Sequence, residues 1–488
     1  MKNFKALSEK ASSVMLILLP LVLFFSFYPI ISLGSNDYMN FELSLPEIWL
    51  VLFFLVSLPT AKTIFKFYGI KKLALVGIFP LYLSLTILWS ENRLRAILTA
   101  GLFWLVIYAA LHLIYHLKND QKGSLRTSLI KSLLISASVI SAFCWLQCFL
   151  DVAGFSRDIT LLCRGCVSTT FGFPHPSGFA IEPQFMGNLL IAPTLVSFYL
   201  LLKKRGSTIL TLFLTATLFL TLSRGAIYAF VIAFAILLIL VKKKFMLSRA
   251  IACVFVSIAV ALISFGLFSA IGPTSDTFID GTTKAIHQLT LGKIDLRPDE
   301  AKNQAHESTE FTTSASAEKP LEANTASSTV DTPHFSGYIE ESTNTRLSLN
   351  SLALKTWSSS PRYILIGTGL GSAGLAMHQI FPEEIGTKEI VQNEYISLLL
   401  EAGILGLGVL LGVVIFTTLY LKKRKYLANN ALFLSAIIGF ALTFLFFSGL
   451  PNALHIFLFP LLFFNFNLSS KDNFLITNKV KHHRNRRR

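Results

Sequence analysis

The feature that most constrains this chain is a series of long apolar runs. A helix needs about 20 apolar residues to cross the core of a bilayer, and these runs are long enough to do so. Only 14% of its 488 residues are charged and 53% are hydrophobic, whereas soluble globular chains carry about 25% charged residues. We therefore predict an all-α polytopic membrane protein. The first run, 13–33, has the length of a membrane anchor and no small-residue cleavage site, so we expect no cleaved signal peptide.

The apolar runs predict about twelve transmembrane helices. They lie at 13–33, 45–60, 73–89, 96–116, 129–150, 185–202, 207–223, 225–241, 250–271, 395–421, 428–449 and 452–469. The predicted domains are a membrane domain of nine helices at 1–271, which includes a loop at 151–184, a large loop at 272–394, a membrane domain of three helices at 395–469, and a basic tail at 470–488.

Basic residues mark every second connection between the predicted helices. They occur in "AKTIFKFYGIKK", "LKNDQKGSLRTSLIK", "KKRGS", "KKKFMLSR" and "KKRK", as well as near both termini. Loops rich in Lys and Arg stay in the cytoplasm, so we predict that both termini are cytoplasmic and that the loops 151–184 and 272–394 are external. The net charge of +16 is therefore a topology signal, and we expect no nucleic-acid partner.

The apolar segment from Thr208 to Val241 contains a single charged residue, Arg224. As one helix the segment would be about 50 Å long, which exceeds a bilayer core of about 30 Å. Basic clusters at both of its ends also require both ends to face the same side. We therefore predict a hairpin of two helices with Arg224 at its external tip.

Three parts of the external loops have distinct compositions. The stretch 297–335 is rich in Ser, Thr, Ala and Glu, which predicts disorder. The stretch 343–357 places leucines at helical spacing behind Thr and Asn cap candidates, which predicts an amphipathic helix with Arg346 at its start. Cys163 and Cys166 lie in an oxidising compartment under this topology, so they form either a disulfide or free thiols, and a zinc site is not expected.

Four features occur in a fixed order along about 171–408. They are "TLSRGA", the long external loop, "GTGLG" and "QNEYISLLLEAGILG". Together they resemble the O-antigen ligase and O-antigen polymerase superfamily of bacterial envelope enzymes. The final motif in ligases of this family resembles His followed by a polar residue, nine residues and Gly-x-x-Gly. Here Gln392 and Asn393 precede nine residues and then Gly403 and Gly406, so the spacing is kept while Gln392 replaces the histidine.

The resemblance implies a glycosyltransferase of the bacterial inner membrane that works in lipopolysaccharide or surface polysaccharide biosynthesis. Its donor would be a glycan on undecaprenyl pyrophosphate, and its acceptor would be lipid A core or another lipid-linked repeat unit, both at the periplasmic face. The resemblance also implies inversion at the sugar carbon with neither metal nor cofactor. The glutamine at position 392 favours a polymerase slightly over a ligase, although the glycine spacing is ligase-like.

A pyrophosphate leaving group gains charge during transfer, and arginine binds phosphate oxygens through two donors at once. We predict that Arg224 and Arg346 bind the pyrophosphate, the alternatives being a membrane-interface anchor and a solvated helix residue. A base must also reach the acceptor hydroxyl. Glu394 is the first candidate and His378 the second, with Gln392 and Asn393 orienting sugar hydroxyls.

Four residues are secondary candidates. Glu401 lies seven residues after Glu394 on the same helical face, inside a predicted span, where an ionisable group is either functional or bonded to a neighbouring helix. Glu182 and His175 precede the sixth predicted helix, where a proline-rich turn that caps this helix is the alternative. Arg164 lies in the same external loop. A transporter or flippase with twelve spans is the alternative function for the whole chain.

Overall fold

The computed structural model shows a bundle of α-helices with almost no sheet, which confirms the predicted fold class. It describes residues 2–33, 41–120, 123–162, 172–180, 182–241, 244–272, 277–290, 294, 296, 335–386, 391–423, 430–447 and 454–464. Within these residues, eight helices are long and apolar enough to cross a membrane. These are Lys5–Leu23, Leu45–Tyr68, Arg93–Asn119, Ser124–Val152, Pro183–Leu202, Arg224–Val241, Leu247–Ile271 and Glu394–Ile415.

The elements before the large loop follow the predicted order. They are α1 (Lys2–Leu23), β1 (Pro29–Leu33), β2 (Phe41–Ser44), α2 (Leu45–Tyr68), α3 (Ile70–Thr86), α4 (Arg93–Asn119), α5 (Ser124–Val152), α6 (Arg157–Thr160), α7 (Pro183–Leu202), α8 (Thr208–Leu220), α9 (Arg224–Val241) and α10 (Lys244–Ile271). The short helices α8 and α9 form the predicted hairpin, with Leu222 at φ 47° in the turn between them.

The large loop contributes helices of its own before the chain returns to the bundle. They are α11 (Phe278–Leu289), α12 (Phe335–Ser358), α13 (Pro361–Ile366) and α14 (Ala373–Ile380), and they are followed by α15 (Glu394–Lys423), α16 (Ala431–Thr443), a 3₁₀ turn (Leu454–Phe457) and α17 (Leu458–Leu461). Most of the segment 297–335, which we predict to be disordered, lies outside the described residues, as do Cys163, Cys166 and the basic tail.

Helix α7 lies at the centre of the bundle and is buried along almost its whole length. It packs against α5, α8, α9 and α16. A helix that is apolar on every face is stable only when other helices surround it, or when it faces lipid. Phe198 of α7 packs against Phe234 of α9 with ring centroids 4.5 Å apart and the ring planes tilted by 48°. Cys144, Cys148 and Cys253 are buried in the helix core.

Two predicted spans differ from the structure. The run 13–33 is helical only to Leu23, because the chain turns before Pro29, which has no N–H for a helix, and residues 29–33 then pair with β2. The described part of the run 452–469 is a 3₁₀ turn and a single α-turn. Pro460 removes a donor there, so the prediction of one continuous helix is wrong for these residues.

The loops between helices contact each other in the two groups that the charge pattern predicts, one at each end of the helix bundle. The amine of Lys5 donates to Thr63 Oγ1 at 2.9 Å, which joins the N-terminal segment to the first basic connection, residues 61–72. The amine of Lys118 lies 6.0 Å from the ring centroid of Phe464, which joins another basic connection to the C-terminal segment. The external connections meet each other at the opposite ends of the helices, as described below. Which of these two sides faces the cytoplasm is still a prediction from charge.

Candidate functional site

Three helices begin close together at the predicted external side, around residues 444–446. They are α7, α9 and α15. A Cβ atom at Gly225, in the first turn of α9, would lie 3.0 Å from Phe446 Cβ, so this turn is in contact with residue 446. The positive dipole ends of such helices favour anions. Arg224, the first residue of α9, is half-buried beside this meeting point.

The end of α16 supplies a row of backbone acceptors to these segments. The carbonyls of Phe444, Leu445 and Phe446 follow the last helical residue, where helix carbonyls have no partner within the helix. The backbone N–H of Glu394 donates to Phe444 O at 3.0 Å, and Asn393 Nδ2 donates to Leu445 O at 3.1 Å. The start of α15 is therefore fixed on the end of α16.

The third carbonyl, Phe446 O, closes a ring of hydrogen bonds with the side chains of Gln184 and Arg346. We call this group the Phe446 ring; the name refers to the hydrogen bonds and not to the phenyl side chain. Arg346 Nη1 donates to Phe446 O at 3.3 Å and Nη2 donates to Gln184 Oε1 at 3.0 Å, while Gln184 Nε2 donates to Phe446 O at 3.1 Å. A guanidinium has five N–H donors, and these two bonds use two of them. Arg346 also completes the negative end of α16, which favours a cation.

The structure corrects the predicted position of Arg346. Helix α12 begins at Phe335, so Arg346 lies well inside the helix and the Thr and Asn residues at 343–344 do not cap it. The apolar spacing used for the prediction marks only the part of the helix that packs, whose residues Leu349 and Leu352 are buried in a small core of the external loop. The amphipathic helix itself is present as predicted.

Asn393 and Glu394 have distinct environments at the start of α15. Asn393 Oδ1 accepts from the N–H groups of Tyr395 and Ile396, so its side chain caps the helix. Its amide group is already bonded to Leu445 O, which leaves little capacity for a sugar. Glu394 is 8% exposed, in the first turn, where the helix dipole stabilises a carboxylate. Gln392 is half-buried next to both.

His378 lies in α14, and its Nδ1 atom is 2.6 Å from Ile385 O. A carbonyl oxygen only accepts, so Nδ1 carries the proton in this bond and Nε2 has the lone pair of a base. Ile385 belongs to the same small core as Val391, immediately before the site segment. The bond therefore fixes His378 within the external loop.

A glycine turn, residues 367–374, packs on α15 below this site. The N–H groups of Thr368 and Gly369 donate to the carbonyls of Leu400 and Glu401, each at 2.9 Å. The N–H of Ala373 donates to Glu401 Oε1 at 3.3 Å. Glu401 also interacts with the Gly371 backbone and with Arg95. Its carboxylate is therefore bonded to a neighbouring segment, as in the alternative considered above.

The same packing breaks α15, which the sequence predicts as one continuous helix. Gly403 has φ 65° and ψ −174°, outside the helical region, because the backbone of the glycine turn occupies this position. A Cβ at Gly403 would lie 2.4 Å from Leu365 O. Gly406 faces the ring of Tyr82, whereas a Cβ at Gly408 would meet nothing within 4 Å. Gly403 and Gly406 therefore allow close packing, whereas Gly408 lies at no such contact.

The secondary candidates before α7 separate into two environments. Glu182 is exposed at the helix start, where surrounding protein raises its pKa and nearby Arg346 acts in the opposite direction. His175 is buried and stacked on Phe173 with ring centroids 5.2 Å apart, so it is packed in the hydrophobic core. Burial lowers the pKa of His175 to about 3, which keeps the imidazole neutral. Arg164 lies outside the described residues.

The geometry thus brings together Arg346, Glu182 and the start of α15, with Arg224 on the adjacent turn. Sequence reasoning missed Gln184 and the carbonyl row at 444–446. A glutamine after a helix-starting proline is an ordinary pattern, and backbone acceptors have no residue signature. Among the described residues no three His, Cys, Asp or Glu side chains are grouped as metal ligands.

Comparison with known proteins gives one family. A family model described as O-Antigen ligase matches residues 209–411, which include Arg224, Arg346 and the segment 392–394. No curated protein matches the chain. The match confirms the resemblance drawn from the sequence motifs. Gln184 and Phe446 lie outside the matched residues.

Proposed function

We propose that this chain, a member of the O-antigen ligase and O-antigen polymerase superfamily, transfers a glycan from undecaprenyl pyrophosphate to an acceptor at the periplasmic face of the bacterial inner membrane. The family implies a membrane glycosyltransferase that acts on lipid-linked glycans. The observation that carries the finer proposal is the meeting of three helix N-termini with Arg224 and Arg346 around residues 444–446. Such an arrangement suits a lipid pyrophosphate at the membrane surface.

In the proposed reaction, an acceptor hydroxyl attacks the anomeric carbon of the donor sugar from the face opposite the pyrophosphate. The new glycosidic bond forms as the bond from this carbon to the phosphate oxygen breaks. Glu394 takes the hydroxyl proton, and the arginines stabilise the negative charge that develops on the leaving pyrophosphate. The configuration at the sugar carbon is inverted.

The other residues of the site have supporting roles in this proposal. Gln392 orients a sugar hydroxyl, while Asn393 holds the start of α15 through its cap and its bond to Leu445 O. His378 is the second candidate base, since its Nε2 atom keeps a lone pair. Glu182 lies at the rim, where it competes for Arg346.

Purified protein in proteoliposomes with an isotope-labelled lipid-linked glycan tests the proposal. Arg224→Lys removes two-point phosphate binding but keeps the charge, so we expect transfer to fall about 10- to 100-fold. Glu394→Gln should lower transfer by at least about 100-fold, since it removes the base. Arg249→Lys is the matched control, because Arg249 bonds Thr208 at the opposite end of the bundle. Full transfer by both site variants would refute the assigned roles.

The same assay separates an enzyme from a transporter. Covalent transfer of label to an acceptor indicates a glycosyltransferase, whereas a change of membrane side without a new bond indicates a flippase. The connections that meet at one membrane surface favour the enzyme, since transporters place their sites near the bilayer midplane.

We propose a polymerase rather than a ligase, because Gln392 occupies the position of the ligase histidine. A deletion strain distinguishes the two through its lipopolysaccharide ladder. Core that carries a single repeat indicates a lost polymerase. Unmodified core with accumulated lipid-linked polymer indicates a lost ligase and would overturn this choice.

A further inference from the structure

We infer that Gln184 is a positioning residue that holds Arg346 for the donor pyrophosphate and away from the carboxylate of Glu182. The inference rests on the proposed function, because it concerns how one of the proposed phosphate ligands is kept in place. Gln184 lies in the first turn of α7, outside the residues that match the family. Gln184 would therefore extend the proposed site to a helix whose residues the family motifs do not include.

The chemistry of the Phe446 ring requires a residue that both donates and accepts. Phe446 O only accepts, and the guanidinium of Arg346 only donates. Gln184 satisfies both, since Nε2 donates to Phe446 O at 3.1 Å and Oε1 accepts from Arg346 at 3.0 Å. Both partners fix the same orientation of the amide, so its two ends are assigned without ambiguity. A carboxylate at this position would place an oxygen against Phe446 O, and an apolar side chain would bond neither group.

The ring also determines which anion the guanidinium meets. Glu182 is exposed two residues before Gln184 and interacts electrostatically with Arg346. An ion pair between these two side chains would use the donors that a pyrophosphate needs, since both anions bind the same planar fork. The neutral amide of Gln184 occupies one Nη2 donor without neutralising the charge. Arg346 is thereby held beside the start of α15 with its charge available.

This arrangement predicts that loss of Gln184 weakens binding of the lipid-linked donor and that a second substitution restores this binding. Gln184→Met has a similar volume and removes both hydrogen bonds of the amide. We expect it to raise the KM for the lipid-linked donor about tenfold, with kcat changed by less than about threefold. The double variant Gln184→Met with Glu182→Gln should recover most of the affinity, because the competing carboxylate is absent. Gln379→Met, at an exposed glutamine of α14, is the matched control.

A double-mutant cycle with Arg346→Lys tests whether Gln184 acts through Arg346. Lysine cannot form the two-point ring, so Gln184→Met should have no further effect on KM in that background. An equal rise of KM in both backgrounds would overturn the inference while leaving the proposed function intact. So would a normal donor KM for Gln184→Met, or a failure of Glu182→Gln to restore it.

Two further measurements keep the result interpretable. Gln184→Glu retains an acceptor for Arg346 and introduces a negative charge, so we expect its KM to exceed that of Gln184→Met. The melting temperature of each variant is measured in the same detergent, and KM is compared per folded molecule. If Arg346→Lys alone has the wild-type KM, the proposed phosphate role of Arg346 fails, whatever the result for Gln184.

Discussion

The Phe446 ring and the glycine turn are two polar groups of the external side that use their charged residues differently. In the Phe446 ring, half-buried Arg346 bonds one side chain and one carbonyl and keeps further donors. At the glycine turn, the half-buried Glu401 of α15 accepts from the backbone of this neighbouring segment. The difference teaches that a charged residue is a candidate for ligand binding when its contacts within the chain leave donors or acceptors for a ligand.

The largest expected effect concerns the contact between the glycine turn and α15. Gly403→Ala places a Cβ 2.4 Å from Leu365 O at a φ of 65° that favours glycine. We expect a loss of about 3 kcal/mol or more in the free energy of unfolding, with little folded protein recovered. Thermal unfolding in detergent measures this loss. Gly408→Ala, which meets nothing within 4 Å, should be unaffected, and equal melting temperatures would contradict the packing described here.

A smaller effect is expected from Glu401→Gln. The amide oxygen still accepts from Ala373, but the charge that faces Arg95 is lost. We expect a loss of about 2 kcal/mol in stability, with transfer per folded molecule within about threefold of wild type. Glu394→Gln should show the reverse, with normal stability and little transfer. If Glu401→Gln abolished transfer while the protein stayed folded, Glu401 would belong to the catalytic group and the comparison would fail.

The smallest effect concerns His175, whose side chain is buried. Its pKa is about 3 in the folded chain against an ordinary value of 6.5. The unfolded chain therefore binds a proton that the folded chain does not, and stability falls as pH decreases below 6.5. Between pH 7 and pH 5.5 this amounts to about 1 kcal/mol. His175→Gln should reduce the pH dependence of the melting temperature by this amount and leave transfer unchanged, and a large loss of transfer would return His175 to the site.

The sequence predicts most of the helix bundle because each of its two main patterns has one physical cause. The length of the apolar runs reflects bilayer thickness, and the basic loops reflect the side of the membrane on which they lie. The hairpin of α8 and α9 follows from the length of its run together with the charges at both ends. Pro29 and Pro460 interrupt runs that hydropathy treats as continuous. The break at Gly403 was not predictable, because helical periodicity within a span does not show which backbone will pack on it.

The candidate site was predictable only in part. Arg224 and Glu394 could be proposed, since a charge in an apolar segment and a helix start both have sequence signals. Asn393 was expected to bind sugar, yet a capping role has the same residue preference. His175 is a secondary candidate from the sequence, but one of the aromatic residues that bury it, Phe265, comes from the distant helix α10. Gln184 became significant only when the positions of Arg346 and Phe446 O were known.

The three carbonyls that follow α16 have a consequence for how this surface tolerates change. Because the partners bond to oxygen atoms of the main chain, the hydrogen bonds do not depend on which side chains stand at positions 445 and 446, although the Phe446 side chain also contacts Gly225. Both are exposed, at 42% and 39%. An insertion or deletion just after Thr443 would instead displace the anchors of α7, α12 and α15 at once. The length of this connection, more than its composition, sets the positions of these three helices relative to α16.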